Sequence, residues 1–329
     1  MTDDTASARL LEVDDLSVSF PTLDGRKLHA LRDVSIDVRP GEILGVVGES
    51  GCGKSTLGRS IVGLQRPSAG EIRWQGAPIA TLGGPLARSR LVQMIFQDPY
   101  SSLNPVMSVA DTLAEVLRVH GFSGGREALR EAVERLMATV GLPAGLADRR
   151  PHALSGGQRQ RVSIARALAP SPRLIVADEA VSALDVSVQA QIVNLFGELR
   201  RDLGLSLMFI SHDLDVVRHI GDRVAVMYLG EVVEIGPTEA VFGRPRHPYT
   251  RGLVAAIPRP DPRHRSRSAA LEGELPDPTA LPDGCAFLSR CRFAHPQCRE
   301  SRPRLAALAP DHRVRCLRAD DLPPPETLG

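Results

Sequence analysis

Ile43-Leu44-Gly45-Val46-Val47-Gly48-Glu49-Ser50-Gly51-Cys52-Gly53-Lys54-Ser55 is the stretch on which the reading of this chain turns. Residues 43–47 are continuously apolar, the pattern of a short strand buried on both faces of a parallel sheet. Gly48 to Ser55 then fit the spacing G-x-x-x-x-G-K-[ST]. Glycines in such a loop let backbone N–H groups turn inward and close around phosphate oxygens. An apolar-faced helix over Thr56–Leu64 follows. Its N-terminal partial positive charge would point at the same place. Lys54 would add a movable cation for the β- and γ-phosphates, and the Ser55 hydroxyl could ligate Mg²⁺. Lys54 is one of only two lysines, with Lys27, in a chain that otherwise uses Arg. Cys52 reads as a small loop residue with no metal role.

Working outward, Leu174-Ile175-Val176-Ala177-Asp178-Glu179 places two acids at the end of a second apolar strand. Ligands gather at the carboxyl edge of open α/β sheets. There Asp178 would hold Mg²⁺, directly or through water, and Glu179 would polarise an attacking water. Leu207–Ile210 is a third buried strand, and a helix is expected from about Val186 to Leu203. Upstream, residues 11–13, 16–20 and 34–38 alternate as half-buried strands, with a turn at Asp24-Gly25. Ala110–His120 and Arg126–Val140 carry apolar residues at helical spacing. Arg223–Ile235 reads as a hairpin turning near Gly230. Strands alternating with helices imply an α/β domain built on a parallel sheet.

The bulk numbers agree. A chain of 329 residues with 43% hydrophobic residues suits one large globular domain with an appendage. A net charge of +1 gives no field that would mark a nucleic-acid binder. No apolar stretch approaches a membrane span, and Met1–Arg9 has no signal-peptide core. The cysteines are therefore expected in a reducing compartment, not in disulfides. Residues 258–284 are rich in Pro, Arg, Asp and Ser and read as a linker or irregular extension.

Leu154-Ser155-Gly156-Gly157-Gln158 separates this chain from other phosphate-loop proteins. Ser155 is a good helix N-cap, and the glycines expose further N–H groups to an anion. This pentapeptide resembles the signature motif of the ABC ATPases, and the resemblance covers about residues 10–257. It implies an α/β phosphate-loop fold with an antiparallel β subdomain and a helical subdomain. The ATP site would comprise Phe20, Gly48, Ser50, Gly51, Gly53, Lys54, Ser55, Thr56, Gln97 and Asp178. Phe20 is similar to the aromatic that stacks on adenine. Gln97 resembles the glutamine loop, and Ser55, Gln97 and Asp178 would hold Mg²⁺. Glu179 and His212, the latter similar to the switch histidine at the γ-phosphate, would be catalytic. Ser155, Gly156, Gly157 and Gln158 would cover ATP held by a partner subunit, and Asp185 would belong to the D-loop. Ala180-Val181 departs from the Pro-Thr of many members, without loss of ligand chemistry.

Phe96–Pro105 and His247-Pro248-Tyr249-Thr250, with the Cys-bearing tail, resemble the ATP-binding subunits of dipeptide/oligopeptide importers, a group that includes nickel and glutathione systems. The resemblance implies a peripheral ATPase at the cytoplasmic face of the cell membrane. Its partners would be a second, related but distinct ATPase subunit, two transmembrane permease subunits and an extracytoplasmic solute-binding protein. A homodimer stays open. The expected organisation is 8–257 for the ATPase domain, with a helical subdomain at about 98–160. Then come 258–284 for the linker, 285–319 for the Cys-rich segment and 320–329 for a disordered tail. Four of the five cysteines, Cys285, Cys291, Cys298 and Cys316, fall in that last part, at gaps of five, six and seventeen residues. Four thiolates can hold a [4Fe–4S] cluster, as the family's tail does by resemblance. Zinc is the rival, although the tight turns it favours are missing, and unliganded thiols are the plain alternative. Competing functions are a soluble ABC ATPase of DNA repair or translation, and a catalytically silent subunit. The first lacks its usual second nucleotide domain or inserted arms here. The second is opposed by intact Lys54, Asp178, Glu179 and His212.

Overall fold

The computed structural model describes residues 9–257, 271 and 273–323. It opens with β1 (Leu11–Pro21), β2 (Lys27–Val38) and β3 (Ile43–Val47), followed by α1 (Lys54–Val62), β4 (Ala69–Trp74) and β5 (Ala77–Pro78). Next come α2 (Gly84–Leu91), β6 (Val92–Ile95), α3 (Val109–Val119), α4 (Arg126–Thr139) and α5 (Gly156–Leu168). The second half holds β7 (Leu174–Asp178), α6 (Val186–Leu203), β8 (Ser206–Ile210), α7 (Leu214–Ile220), β9 (Arg223–Tyr228) and β10 (Glu231–Pro237). It closes with α8 (Thr238–Gly243), α9 (Pro248–Ala255), α10 (Gln297–Glu300), β11 (Ala306–Ala309) and β12 (His312–Val314).

Two sheets result. β2-β1-β4-β5 form an antiparallel sheet, and β11-β12-β10-β9-β3-β8-β7-β6 form the larger one. Strands β6, β7, β8, β3 and β9 run parallel. β3, β7 and β8 are buried at every position, which is why their sequences are apolar runs without alternation. One core lies between the two sheets, where Leu11, Leu31, Leu44, Leu57 and Met208 meet. The other lies beneath the helices, around Leu113, Ile175, Phe196, Phe209 and Tyr228. α3 and α5 both begin with a capping box, Ser108 with Asp111 and Ser155 with Gln158, which satisfies two N–H groups at each helix start.

Arg223 ties the sheets together. Its guanidinium donates to Asp37 Oδ2 at 3.0 Å and to Glu42 Oε1 at 3.1 Å, all three residues buried. A guanidinium set between two carboxylates keeps its charge compensated out of water.

The expectations for 43–47, 186–203 and the hairpin at Gly230 match the observed elements closely. Two strands expected at 11–13 and 16–20 are one strand, β1. Register shifts at Val13/Leu16 and Leu16/Val18, with Asp15 at φ 46, break the alternation without ending the pairing. The Cys-bearing tail adds β12 and β11 to the main sheet, with Glu234 opposite Val314. Strands of three and four residues leave too little alternation to read. Of the expected linker, 258–270 and 272 lie outside the described residues, and 273–284 carry no helix or strand. Residues 324–329 of the expected disordered tail also lie outside them. Within 320–323, Leu322 is buried and the carbonyl of Pro323 accepts from Arg251. No helix among the described residues is long and apolar enough to cross a membrane.

Candidate functional site

The loop between β3 and α1 sits at the carboxyl edge of the parallel sheet. Gly53 has φ 104, and a Cβ there would lie 2.4 Å from the carbonyl oxygen of Ala30. Gly48 is equally constrained, since its Cβ would meet Met227 O at 2.2 Å. Only glycine fits at either place, so the loop can pass close to β2 and β9. Lys54 is buried, and its Nζ donates to Gly48 O at 2.8 Å and to Glu49 O at 3.1 Å. Ser50, Gly51 and Thr56 lie on the same loop and helix start.

From Ser55 the polar contacts run across the sheet edge. Ser55 Oγ donates to Asp178 Oδ1 at 2.8 Å. Burial pushes the Asp178 carboxyl up, against the Ser55 hydrogen bond that lowers it. Glu179, the next residue, accepts from Gln97 Nε2 at 2.8 Å, and His212 Nδ1 lies 3.5 Å from the same carboxylate oxygen. Lys54, Ser55, Asp178, Glu179, Gln97 and His212 thus converge from the ends of β3, β7, β6 and β8.

Glu179 has φ 47, an uncommon conformation for a residue with a side chain. Its N–H donates to Ile210 O at 3.0 Å, and its carbonyl accepts from Ser182 N–H and Ser182 Oγ. Such bracing is what holds a strained residue in place. It aims the Glu179 side chain over the sheet edge toward Gln97 and His212. Ala180 and Val181 turn into the core behind it.

Six expected site residues, at three places, stand elsewhere. Phe20 is half-buried near the end of β1, opposite Leu28. Ser155, Gly156, Gly157 and Gln158 form the start of α5, and Asp185 caps α6 by accepting from Val188 N–H at 3.0 Å. Among the described residues no hydrogen bond or ion pair joins these to residues 48–56. Gly157 packs on α6, where a Cβ would lie 2.6 Å from Val188 Cγ1.

Two residues that the sequence did not single out as individuals touch the loop. The N–H of Glu49 donates to Tyr249 Oη at 2.9 Å, and the Glu49 carboxylate receives both arms of Arg290. Separations of 200 and 241 residues leave no local pattern from which to find such contacts.

Against the expected family, residues 31–182 match the ABC transporter family. Residues 233–298 match the oligopeptide/dipeptide transporter C-terminal region. Over 325 residues the chain is 48% identical to the oligopeptide transport ATP-binding protein OppF of Escherichia coli, covering 95% of this chain and 97% of that one. The chain belongs to the ABC transporter ATP-binding proteins. Among these ABC proteins it is also similar to the putative oligopeptide transport ATP-binding protein YkfD of Bacillus subtilis. There the identity is 46%, over 93% of this chain and 94% of that one. Solved ABC structures agree. cbiO1 from Clostridium perfringens, part of the transporter complex cbiONQ, aligns at a TM-score of 0.63 and 30% identity, over 71% of this chain and 91% of that one. The ATP-binding cassette MJ0796, a dimer in a post-hydrolysis state bound to ADP and Pi, aligns at 0.63 and 27%, over 69% and 98%. ABC membership makes the chain an ATPase of the transport class, and the alternative in DNA repair or translation is not favoured.

The four tail cysteines line a single cavity of about 20 Å³, with His247 and Phe287 among its other walls. The N–H of Cys285 donates to the carbonyl of Cys298 at 2.8 Å. Burial pushes the Cys285 thiol up to about 12 and the Cys316 thiol up to about 11. The expected metal site is not assembled, however. Among the described residues no group of three or more His, Cys, Asp or Glu side chains is placed to hold a metal ion.

Proposed function

We propose that this chain hydrolyses ATP to drive import of oligopeptides or dipeptides across the cytoplasmic membrane. It would do so as a peripheral subunit at the cytoplasmic face. The observation that carries the reading is near-full-length identity of 46–48% to proteins named as oligopeptide transport ATP-binding proteins. The geometry supplies a mechanism. Backbone N–H groups of Gly48, Ser50, Gly51 and Gly53 and the start of α1 would cradle the phosphates, with Phe20 against the adenine. Lys54 would leave Gly48 O and Glu49 O for the β- and γ-phosphate oxygens. Mg²⁺ arriving with the nucleotide would be held by Ser55, Gln97 and Asp178, where it would screen phosphate charge.

Glu179 would accept a proton from the attacking water, held in place by Gln97, while His212 beside it would contact the γ-phosphate. Alone, the loop leaves the γ-phosphate half solvated. Ser155, Gly156, Gly157 and Gln158 stand away from the chain's own loop, which suits a role across a dimer with Asp185 at the seam. A second helix N-terminus would complete the cradle and exclude water. The partner proposed is a related, non-identical ATPase subunit, because Ser182–Ser187 resembles the second of such a pair. Two permease subunits and an extracytoplasmic binding protein would complete the machine. Cells lacking this chain should lose uptake of a labelled oligopeptide and regain it with the wild-type chain. Uptake unaffected by its loss would sink the importer reading.

A second proposal concerns the tail. Four thiols on one cavity are a soft donor set, and a [4Fe–4S] cluster takes one thiolate at each iron. Cys285, Cys291, Cys298 and Cys316, which line one cavity, would be its four donors. A bound cluster would supply cross-linking of 285–316 and hold the thiols ionised.

A further inference from the structure

The phosphate loop is gripped from outside by the far end of the chain. Each polar group of Glu49, the second loop residue, is engaged. Its N–H donates to Tyr249 Oη at 2.9 Å, and its carbonyl accepts from Lys54 Nζ at 3.1 Å. Its carboxylate takes the Arg290 fork at 2.8 Å and 3.1 Å. The Arg290 side chain is 4% exposed. Its guanidinium lies 5.8 Å from the centre of the Tyr228 ring. Tyr228 in turn packs on Tyr249, with ring centres 4.7 Å apart, and on Phe287 at 5.2 Å. A two-armed guanidinium–carboxylate pair backed by an aromatic ring fixes direction as well as distance.

We propose that Arg290 is a positioning residue for the nucleotide. By clamping Glu49 it holds the loop in its phosphate-binding form, so the segment carrying Cys285 and Cys291 sets the ATP affinity. The proposal rests on the reading of residues 48–55 as the ATP loop. Its physical basis is entropic. A loop with glycines at 48, 51 and 53 has much freedom to lose when its N–H groups order around phosphate. Each anchor outside the phosphate pocket removes part of that cost before the nucleotide arrives. Arg290 places its fork on Glu49, a loop residue, and acts on the nucleotide through it. Its effect therefore falls on binding, not on the chemical step. A pair that merely fastened the tail to the domain would change the unfolding midpoint and leave nucleotide affinity alone.

The test is equilibrium binding of a fluorescent ATP analogue to the full-length chain, with the unfolding midpoint measured for each variant. Arg290→Ala should weaken binding about 10-fold, the loss of a charge-assisted pair. Glu49→Gln should do the same, and the double variant should be no worse than either single. Arg290→Lys keeps the charge without the fork and should fall between. If Arg290→Ala does not fold, Glu49→Gln carries the test, since it leaves Arg290 in its aromatic setting. Folded Glu49→Gln and Arg290→Lys proteins with wild-type affinity would overturn the brace. Wild-type protein that binds no nucleotide would overturn the reading of the loop itself, and the brace with it.

Discussion

Gln97 Nε2 donates to Glu179 Oε2 at 2.8 Å, so the residue expected to ligate Mg²⁺ is joined to the proposed general base. The bond links the end of β6 to the end of β7, two strands that also carry the chain segment toward α3 and the turn toward α6. Gln97 can thereby hold Glu179 in register with the sheet edge. Gln97→Ala should lower kcat roughly 10- to 100-fold, the range for losing a hydrogen bond to a charged group. Phosphate release by the assembled transporter at saturating ATP measures this. An unchanged kcat would show that Glu179 needs no such support.

Gly53→Ala is expected to damage the site without removing any polar group. A Cβ at φ 104 would lie 2.4 Å from Ala30 O, which belongs to β2 and cannot swing away. The strain is about 1–3 kcal/mol, taken either as lost stability or as a displaced loop. Nucleotide binding and the urea midpoint, measured together, should show one or both losses. Wild-type values of both would mean that the loop is far more pliable than its packing indicates.

How much of this was legible beforehand follows from range. Lys54, Ser55, Asp178 and Glu179 announce themselves because strand, turn and helix are local patterns, and the apolar runs 43–47 and 174–177 mark the strands. His212 and Gln97 are legible only through the family resemblance, and the fold brings both to Glu179. The Glu49 clamp was invisible, since Tyr249 and Arg290 have no local feature that points to residue 49. The tail strands were missed for a different reason. β12 owes its existence to pairing with β10 and to His312 Nε2 at 2.9 Å from the buried Glu234, not to its own propensity.

His247 makes stability depend on pH. Burial lowers its folded value to about 3, and its Nδ1 accepts the N–H of Tyr249, which requires the neutral ring. The unfolded value is about 6.5. A base with a depressed folded value contributes its full stability above about pH 6.5 and loses it as pH falls toward 3, because the unfolded chain binds the extra proton. Between pH 7 and pH 5 the loss is about 2 kcal/mol. His247→Asn keeps a capping side chain before α9 and should lack this component. Urea midpoints of the two proteins should therefore converge as the pH is lowered. Parallel curves would show that His247 does not titrate on unfolding.

The cysteine proposal is open to direct assay. Protein purified without oxygen should contain iron and acid-labile sulfide in equal amounts and show a broad visible absorbance. Replacing Cys285, Cys291, Cys298 or Cys316 by Ser should reduce both. Colourless protein carrying zinc, or no metal, would contradict the cluster.

The most direct test of the account is Glu179→Gln in the assembled transporter. The substitution keeps the shape of the side chain and removes its ability to take a proton. Steady-state ATP hydrolysis should fall by about 100-fold or more. ATP should remain bound and hold the two ATPase subunits together, recovered as a stable dimer that retains unhydrolysed nucleotide. Turnover at the wild-type rate would contradict the role of Glu179 and, with it, the mechanism drawn from this site.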